Sequence, residues 1–193
     1  MSITLTRTVS PSVEPVTLDE LKKNLHITHS EQDVTLNGYI KAGRVAAEVY
    51  QRRSLITQQW QMIFDCYPVG EIALLRGPVV SVESVVVTDV DGNETTMDLS
   101  DFIILTDGSP ARMLLRSSAS WPSETLQEIG GIRISYTAGY GATGEDVPDD
   151  TKHAIIIFAS FADDNRGVED EFIPKSFYNL LETDRLFEGI EDE

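Results

Sequence analysis

The hydrophobic period of this chain changes twice, and few folds accommodate that. Up to about residue 57, apolar residues recur three and four apart, the spacing of a helix face. From Gln58 to Tyr136 they alternate and are rich in Val, Ile and Thr, the pattern of half-buried strands. After Pro148 the helical spacing returns. A β block is therefore expected to interrupt two helical pairs that share one core.

The local signals sharpen this layout. Ser10-Pro11 and Glu14-Pro15 disfavour helix, so residues 1–16 read as an extended arm. Thr17-Leu18-Asp19-Glu20 is a capping box that starts a helix over residues 18–26, with Leu18, Leu21 and Leu25 on one face. Ser30-Glu31-Gln32-Asp33 reads as a second start signal, for a helix over residues 31–52. On that helix Leu36, Ile40, Gly43, Ala47 and Tyr50 share a face, and Gly43, Ala46 and Ala47 keep part of it small enough for close helix approach. Pro148-Asp149-Asp150 opens a third helix with acids at its positive end. Its run Ile155-Ile156-Ile157-Phe158-Ala159 predicts burial on most sides. Asn165-Arg166-Gly167 ends it, and a fourth helix begins near Pro174 with Phe177, Leu180 and Leu181 inward.

Strands are expected at 58–65, 71–75, 79–89, 94–99, 102–105, 111–115 and 131–137. Asp91-Gly92-Asn93 is a hairpin turn, and the long third strand is expected to bulge near Ser81–Ser84. The fold class is thus α+β: a small bundle of about four helices with an inserted antiparallel β subdomain. The expected organisation is an arm at 1–16, helical segments at 17–57 and 145–187, the β insertion at 58–144 and an acidic tail at 188–193.

Charge narrows the function. The chain is 193 residues long with a net charge of −17. Residues 1–57 are nearly balanced, whereas the acids dominate from 58 onward. Such a chain repels phosphate backbones and is a poor tight binder of DNA, although acidic walls suit a passage that DNA must not stick to. No apolar run reaches the roughly 20 residues needed to span a bilayer, so no membrane partner is expected. The N-terminus lacks a basic region followed by an apolar one, so synthesis and retention in the cytoplasm of the producing cell are expected.

Reaction chemistry finds little support. The lone Cys66 lies in an apolar stretch and reads as a small core residue. His26, His29 and His153 lack the clustering of metal ligands and read as surface or capping residues. Asp149-Asp150 and Asp163-Asp164 flank a helix; the second pair sits where the dipole disfavours acids, which suggests a cation partner such as Arg166 or a neighbouring subunit. Gly139-x-Gly141-x-x-Gly144 matches a dinucleotide fingerprint by letter only, since acids follow it; it reads as a flexible hinge. Trp60 and Tyr136 are expected in the core, while Trp121-Pro122 is the better candidate for a protein contact. No catalytic residue, cofactor or metal is assigned.

Several short motifs, in order, resemble one family. These are Pro15-Val16-Thr17-Leu18-Asp19-Glu20 with Leu21 and Leu25, and the long helix after Glu31-Gln32-Asp33. Next come Arg53-Ser54-Leu55-Ile56-Thr57-Gln58-Gln59-Trp60, then Arg76-Gly77-Pro78-Val79 with Ser81-Val82. Tyr136-Thr137-Ala138-Gly139-Tyr140-Gly141 leads to Val147-Pro148-Asp149-Asp150, and the ending is Asn165-Arg166, Ile173-Pro174 and Leu180-Leu181. Together they resemble the gp6-like and gp8-like head–tail connector (adaptor) proteins of tailed phages. An aromatic usual before Asn-Arg is missing, and the acidic tail after Leu186 lies outside the pattern.

The resemblance implies a non-enzymatic virion protein of the neck. It implies a homo-oligomeric ring, commonly of twelve copies, docked between the portal and a stopper or tail-completion protein. Double-stranded DNA would pass through without specific binding, in a phage or a gene transfer agent made in a bacterial cytoplasm. The core helices would hold each subunit, while the β block and hinge would meet the neighbour. The arm and the segment from Phe172 would order on docking. Candidate partner residues are Trp121, Tyr140, Arg166, Phe172, Ile173, Phe177, Leu186 and Phe187. The alternatives are another neck or tail-completion protein, a hydrolase, or a carbohydrate-binding module using Trp121 and Tyr140.

Overall fold

The computed structural model describes residues 3–166 and 173–186. The chain forms two units: the first ten residues with Thr57–Gly139, and Pro11–Ile56 with Tyr140 onward. The fold class is α+β, with four α-helices and two antiparallel sheets among the described residues.

In the helical unit, α1 (Leu18–Leu25) starts on the expected capping box. The Glu20 backbone N–H donates to Thr17 Oγ1 at 3.2 Å, and the Thr17 N–H donates to Glu20 Oε2 at 2.6 Å. α2 (Asp33–Gln51) differs from expectation at its start. Gln32 is the capping position and makes no side-chain cap bond; its Oε1 accepts from Arg166 instead. α3 (Asp149–Asp164) and α4 (Lys175–Leu181) complete the unit. The buried faces of α1, α2, α3 and α4 meet in one core that includes Leu21, Leu36, Ile40, Ile155, Phe177 and Leu181. A Cβ placed on Gly43 would lie 3.1 Å from Phe158 Cδ1 and 3.2 Å from Ile155 Cγ2. The small face of α2 thus packs on α3, as its residues predict. α3 is less enclosed than its composition implies: Ala154, Ile155 and Ala159 are buried, but Ile156, Ile157 and Phe158 are half-buried.

The β unit holds eight strands: β1 (Ile3–Val9), β2 (Gln58–Phe64), β3 (Ile72–Leu74), β4 (Val79–Thr88), β5 (Glu94–Met97), β6 (Phe102–Leu105), β7 (Ala111–Leu115) and β8 (Ile132–Ala138). One sheet runs β1-β2-β8-β4-β5 and the other β3-β7-β6. Their inner residues, such as Met62, Phe64, Val85, Met113, Ile134 and Tyr136, form a second core. β8 shows why alternation was legible: Ile132, Ile134, Tyr136 and Ala138 are buried, with the residues between them less so. β4 slips register between Val79 and Ser81 and again between Val82 and Ser84, where the bulge was expected. At the hairpin, Gly92 has φ +83°, and the Asp89 carboxylate accepts from the N–H groups of Asp91 and Asn93.

Two readings need correction. The first half of the arm is a hydrogen-bonded edge strand: β1 pairs with β2 from Ile3↔Phe64 onward, so its own sheet already orders it. Cys66 is exposed, not core. β2 ends at Phe64, and past that point alternation no longer decides which side chain turns inward.

Candidate assembly surfaces

A residue can serve a partner only where its own chain leaves it uncovered. The C-terminal segment is occupied. Gln51, buried at the end of α2, donates from Nε2 to the Leu181 carbonyl at 3.2 Å and to Thr151 Oγ1 at 3.4 Å. Its carbonyl accepts from the Leu186 N–H at 3.0 Å. Tyr50 donates to the Glu182 carboxylate, Arg53 donates to the Asp184 carbonyl, and Arg185 lies 4.8 Å from the centre of the Tyr50 ring. The bond to Glu182 raises the Tyr50 phenol above its ordinary value.

Phe177 and Leu186 are accordingly buried, and Phe177 packs on Phe158 at 5.6 Å between ring centres. Their expected role as partner contacts is corrected: their apolar surface is spent in their own unit. Ile173 is half-buried against the same core. So is Tyr140, whose phenol is pushed up by burial and by Asp184, against the opposing charge of Arg53. The segment 173–186 is thus held by contacts within its own chain. Phe172 and Phe187 lie outside the described residues.

Trp121 is half-buried and faces inward, with ring centres 5.3 Å from Tyr67 and 5.8 Å from Phe102. The Tyr67 hydroxyl donates to the Pro122 carbonyl at 3.1 Å and fixes that loop. Trp121 and Tyr140 fall in different units, Trp121 in the β unit and Tyr140 in the helical unit. Arg166 is exposed and pairs with Asp163, as the dipole misfit suggested, and donates to Gln32 Oε1 at 2.6 Å. It ties the end of α3 to the start of α2.

Sequence reasoning missed a buried ion cluster. Arg44 donates from Nε to Glu14 at 2.6 Å and from Nη1 to Glu48 at 2.8 Å. The other Glu48 oxygen accepts from the Leu55 N–H at 3.2 Å. Burial alone would lower the Arg44 guanidinium, but its bonds to Glu14 and the charge of Glu48 raise it above its ordinary value. The signal was present: an Arg and a Glu four apart on the face that carries Ile40 and Ala47. One guanidinium bonds both carboxylates, so the cluster joins the segment before α1 to α2 and its exit.

The remaining chemical candidates are dispersed. His26, His29 and His153 are exposed, and His26 caps α1 with φ +57°. Among the described residues no three His, Cys, Asp or Glu side chains are grouped to hold a metal ion. The glycine run is corrected as well. A Cβ on Gly141 would lie 2.2 Å from Asp146, and one on Gly144 would lie 2.4 Å from the Pro15 carbonyl. These glycines permit close packing, and no slack hinge is needed to explain them. No described helix is long and apolar enough to cross a membrane.

Residues 15–101 match the model of the phage gp6-like head–tail connector protein family. Over that span, a little under half of the chain, the sequence is similar to that family. The likeness in fold extends further. A chain from "Neck of empty GTA particle computed with C6 symmetry" superposes with a TM-score of 0.82 at 20% identity, covering 97% of each chain. One from "Virion of native gene transfer agent (GTA) particle" gives 0.80 at 20% identity, over 96% of this chain and 97% of that one. A third, from "Neck of native GTA particle computed with C12 symmetry", gives 0.77 at 21% identity over 98% of each. The fold shared with these chains therefore takes in both units. No curated protein matches the chain in sequence.

Proposed function

We propose that this chain is a head–tail connector of a tailed phage or gene transfer agent, a structural component of the virion neck. The observation that carries this reading is the near-complete fold match to neck chains together with the gp6-like match over residues 15–101. The C6 and C12 symmetries of the similar particles support a closed homo-oligomeric ring, and twelve copies is the number proposed. A ring of this kind needs a heterologous contact, in which one face of each subunit meets a different face of the next.

In this reading the ring sits between the portal and a stopper or tail-completion protein. The helical segments act as the connector domain, and the β insertion adds contact surface. Catalysis is not part of the proposal: the buried polar groups Arg44, Glu48 and Gln51 hold elements together. The net charge of −17 supports a lumen that DNA crosses without adhering.

Deleting the gene from the producing strain tests the proposal. The expected result is separate accumulation of filled heads and free tails, with joining restored when the gene is supplied. Joined particles from the deletion strain, or the absence of the chain from purified necks, would overturn it.

A further inference from the structure

α2 has a second face that no element among the described residues covers. Val34, Gly38, Lys41, Val45 and Val49 are spaced four, three, four and four apart, which sets them in one straight row along the helix. Val34 is 88% exposed, Val45 40% and Val49 61%. A Cβ on Gly38 would meet nothing within 4 Å. The row points away from the face that buries Leu36, Ile40 and Ala47. A helix with two apolar faces has a reason for each, and the inner one is accounted for by α3.

The charge on this face selects the occupant. Lys41 is the one exposed ionisable side chain on α2, since Arg44 and Glu48 are buried and Asp33 is half-buried. The face is therefore apolar with one positive charge, on a chain whose net charge is −17. Two such chains repel over most of their surfaces. An apolar face that carries a cation and no exposed acid is where a second acidic copy is attracted instead.

We propose that the outer face of α2 is the subunit seam of the ring, and that it seats an acidic face of the next copy. The inference rests on the ring reading above and adds the surface that makes the ring. It places a neighbour contact on the helical unit, where the sequence had suggested the β block. α2 is about 28 Å long at about 1.5 Å per residue, so the valine row forms the apolar centre of a contact and polar neighbours form its rim.

The test is the number of copies in an assembly, measured by native mass spectrometry on the full chain alone and on neck complexes formed with portal-bearing heads. Val45→Asn with Val49→Asn removes the apolar row without adding charge, and both sites are exposed enough to keep the fold. Lys41→Glu reverses the charge, and Val69→Asn, at a β-unit loop residue 97% exposed, is the control. The expected result is ring formation by the native chain and Val69→Asn, with at least tenfold less ring for the double variant. Lys41→Glu should form less ring at low salt and recover as salt screens the repulsion. Rings from the double variant at the native level would overturn the seam and leave the connector reading standing. Failure of the native chain to form a ring in either setting would overturn both.

Discussion

The side chain of Gln51 reaches the main-chain carbonyl of Leu181, 130 residues away, at 3.2 Å. This one amide fastens the end of α4 to the end of α2 from inside the core. Its removal leaves a buried carbonyl without its partner. Gln51→Ala is expected to cost about 1–3 kcal/mol of stability, the usual penalty for stranding a buried polar group. Hydrogen exchange should show the loss first in Lys175–Leu181, with α1 protected as before. Uniform loss of protection across the helices would contradict a local fastening role.

The Arg44 cluster predicts a larger effect. Arg44→Met takes the guanidinium away from the buried Glu48 carboxylate, and the expected loss is about 3–5 kcal/mol in urea denaturation. Lysine should restore little, because Arg44 uses two different nitrogens to hold two different carboxylates. Adding Glu48→Leu to Arg44→Met should recover part of the loss, since the second change removes the buried charge.

What the sequence made legible follows from where period and burial coincide. β8 could be read because burial alternates strictly along it, and the capping box before α1 because both of its reciprocal bonds form between residues three apart. Residues fixed by distant partners were not legible. Glu14 and Arg44 are 30 positions apart, and nothing local marks them as a pair. Phe177 and Leu186 look like a docking segment because what holds them lies upstream, Phe158 against Phe177 and the Gln51 main-chain carbonyl accepting from the Leu186 N–H. The small face of α2 was visible from Gly43 and Ala47, whereas its exposed valines were not, since exposure depends on what the other helices leave bare.

The glycine positions separate close packing from slack. A methyl group on Gly144 would collide with the Pro15 backbone, which has no rotamer to yield with. Gly144→Ala is expected to destabilise the helical unit by about 1–3 kcal/mol. Gly43→Val meets Ile155 and Phe158 at the α2–α3 contact and should cost a similar amount. Gly38→Ala, on the open face of α2, should instead be neutral or stabilising by about 0.5–1 kcal/mol through helix propensity. Thermal melts of the three variants check the order. A Gly144→Ala protein as stable as the native chain would restore the flexible-hinge reading of this segment.

The first turn of α1 carries a pH-dependent contribution whose sign is fixed. Hydrogen bonds from the Thr17 side chain and backbone hold the Glu20 carboxyl below its ordinary value of 4.5. A carboxyl lowered in the folded state contributes stability that is fully present above its unfolded value and is lost as pH falls toward the folded value. Thr17→Ala should therefore cost about 1 kcal/mol at neutral pH, the usual worth of a helix cap. The difference between the native chain and the variant should narrow below pH 4.5, as Glu20 takes up a proton and stops accepting from the Thr17 hydroxyl, the donor that alanine lacks. Glu20→Gln keeps the capping geometry without the titration, and its difference from the native chain should change sign or shrink over the same window. Paired urea titrations at pH 7 and pH 3.5 decide the matter: a Thr17→Ala cost that is the same at both values would show that the cap acts without the Glu20 charge.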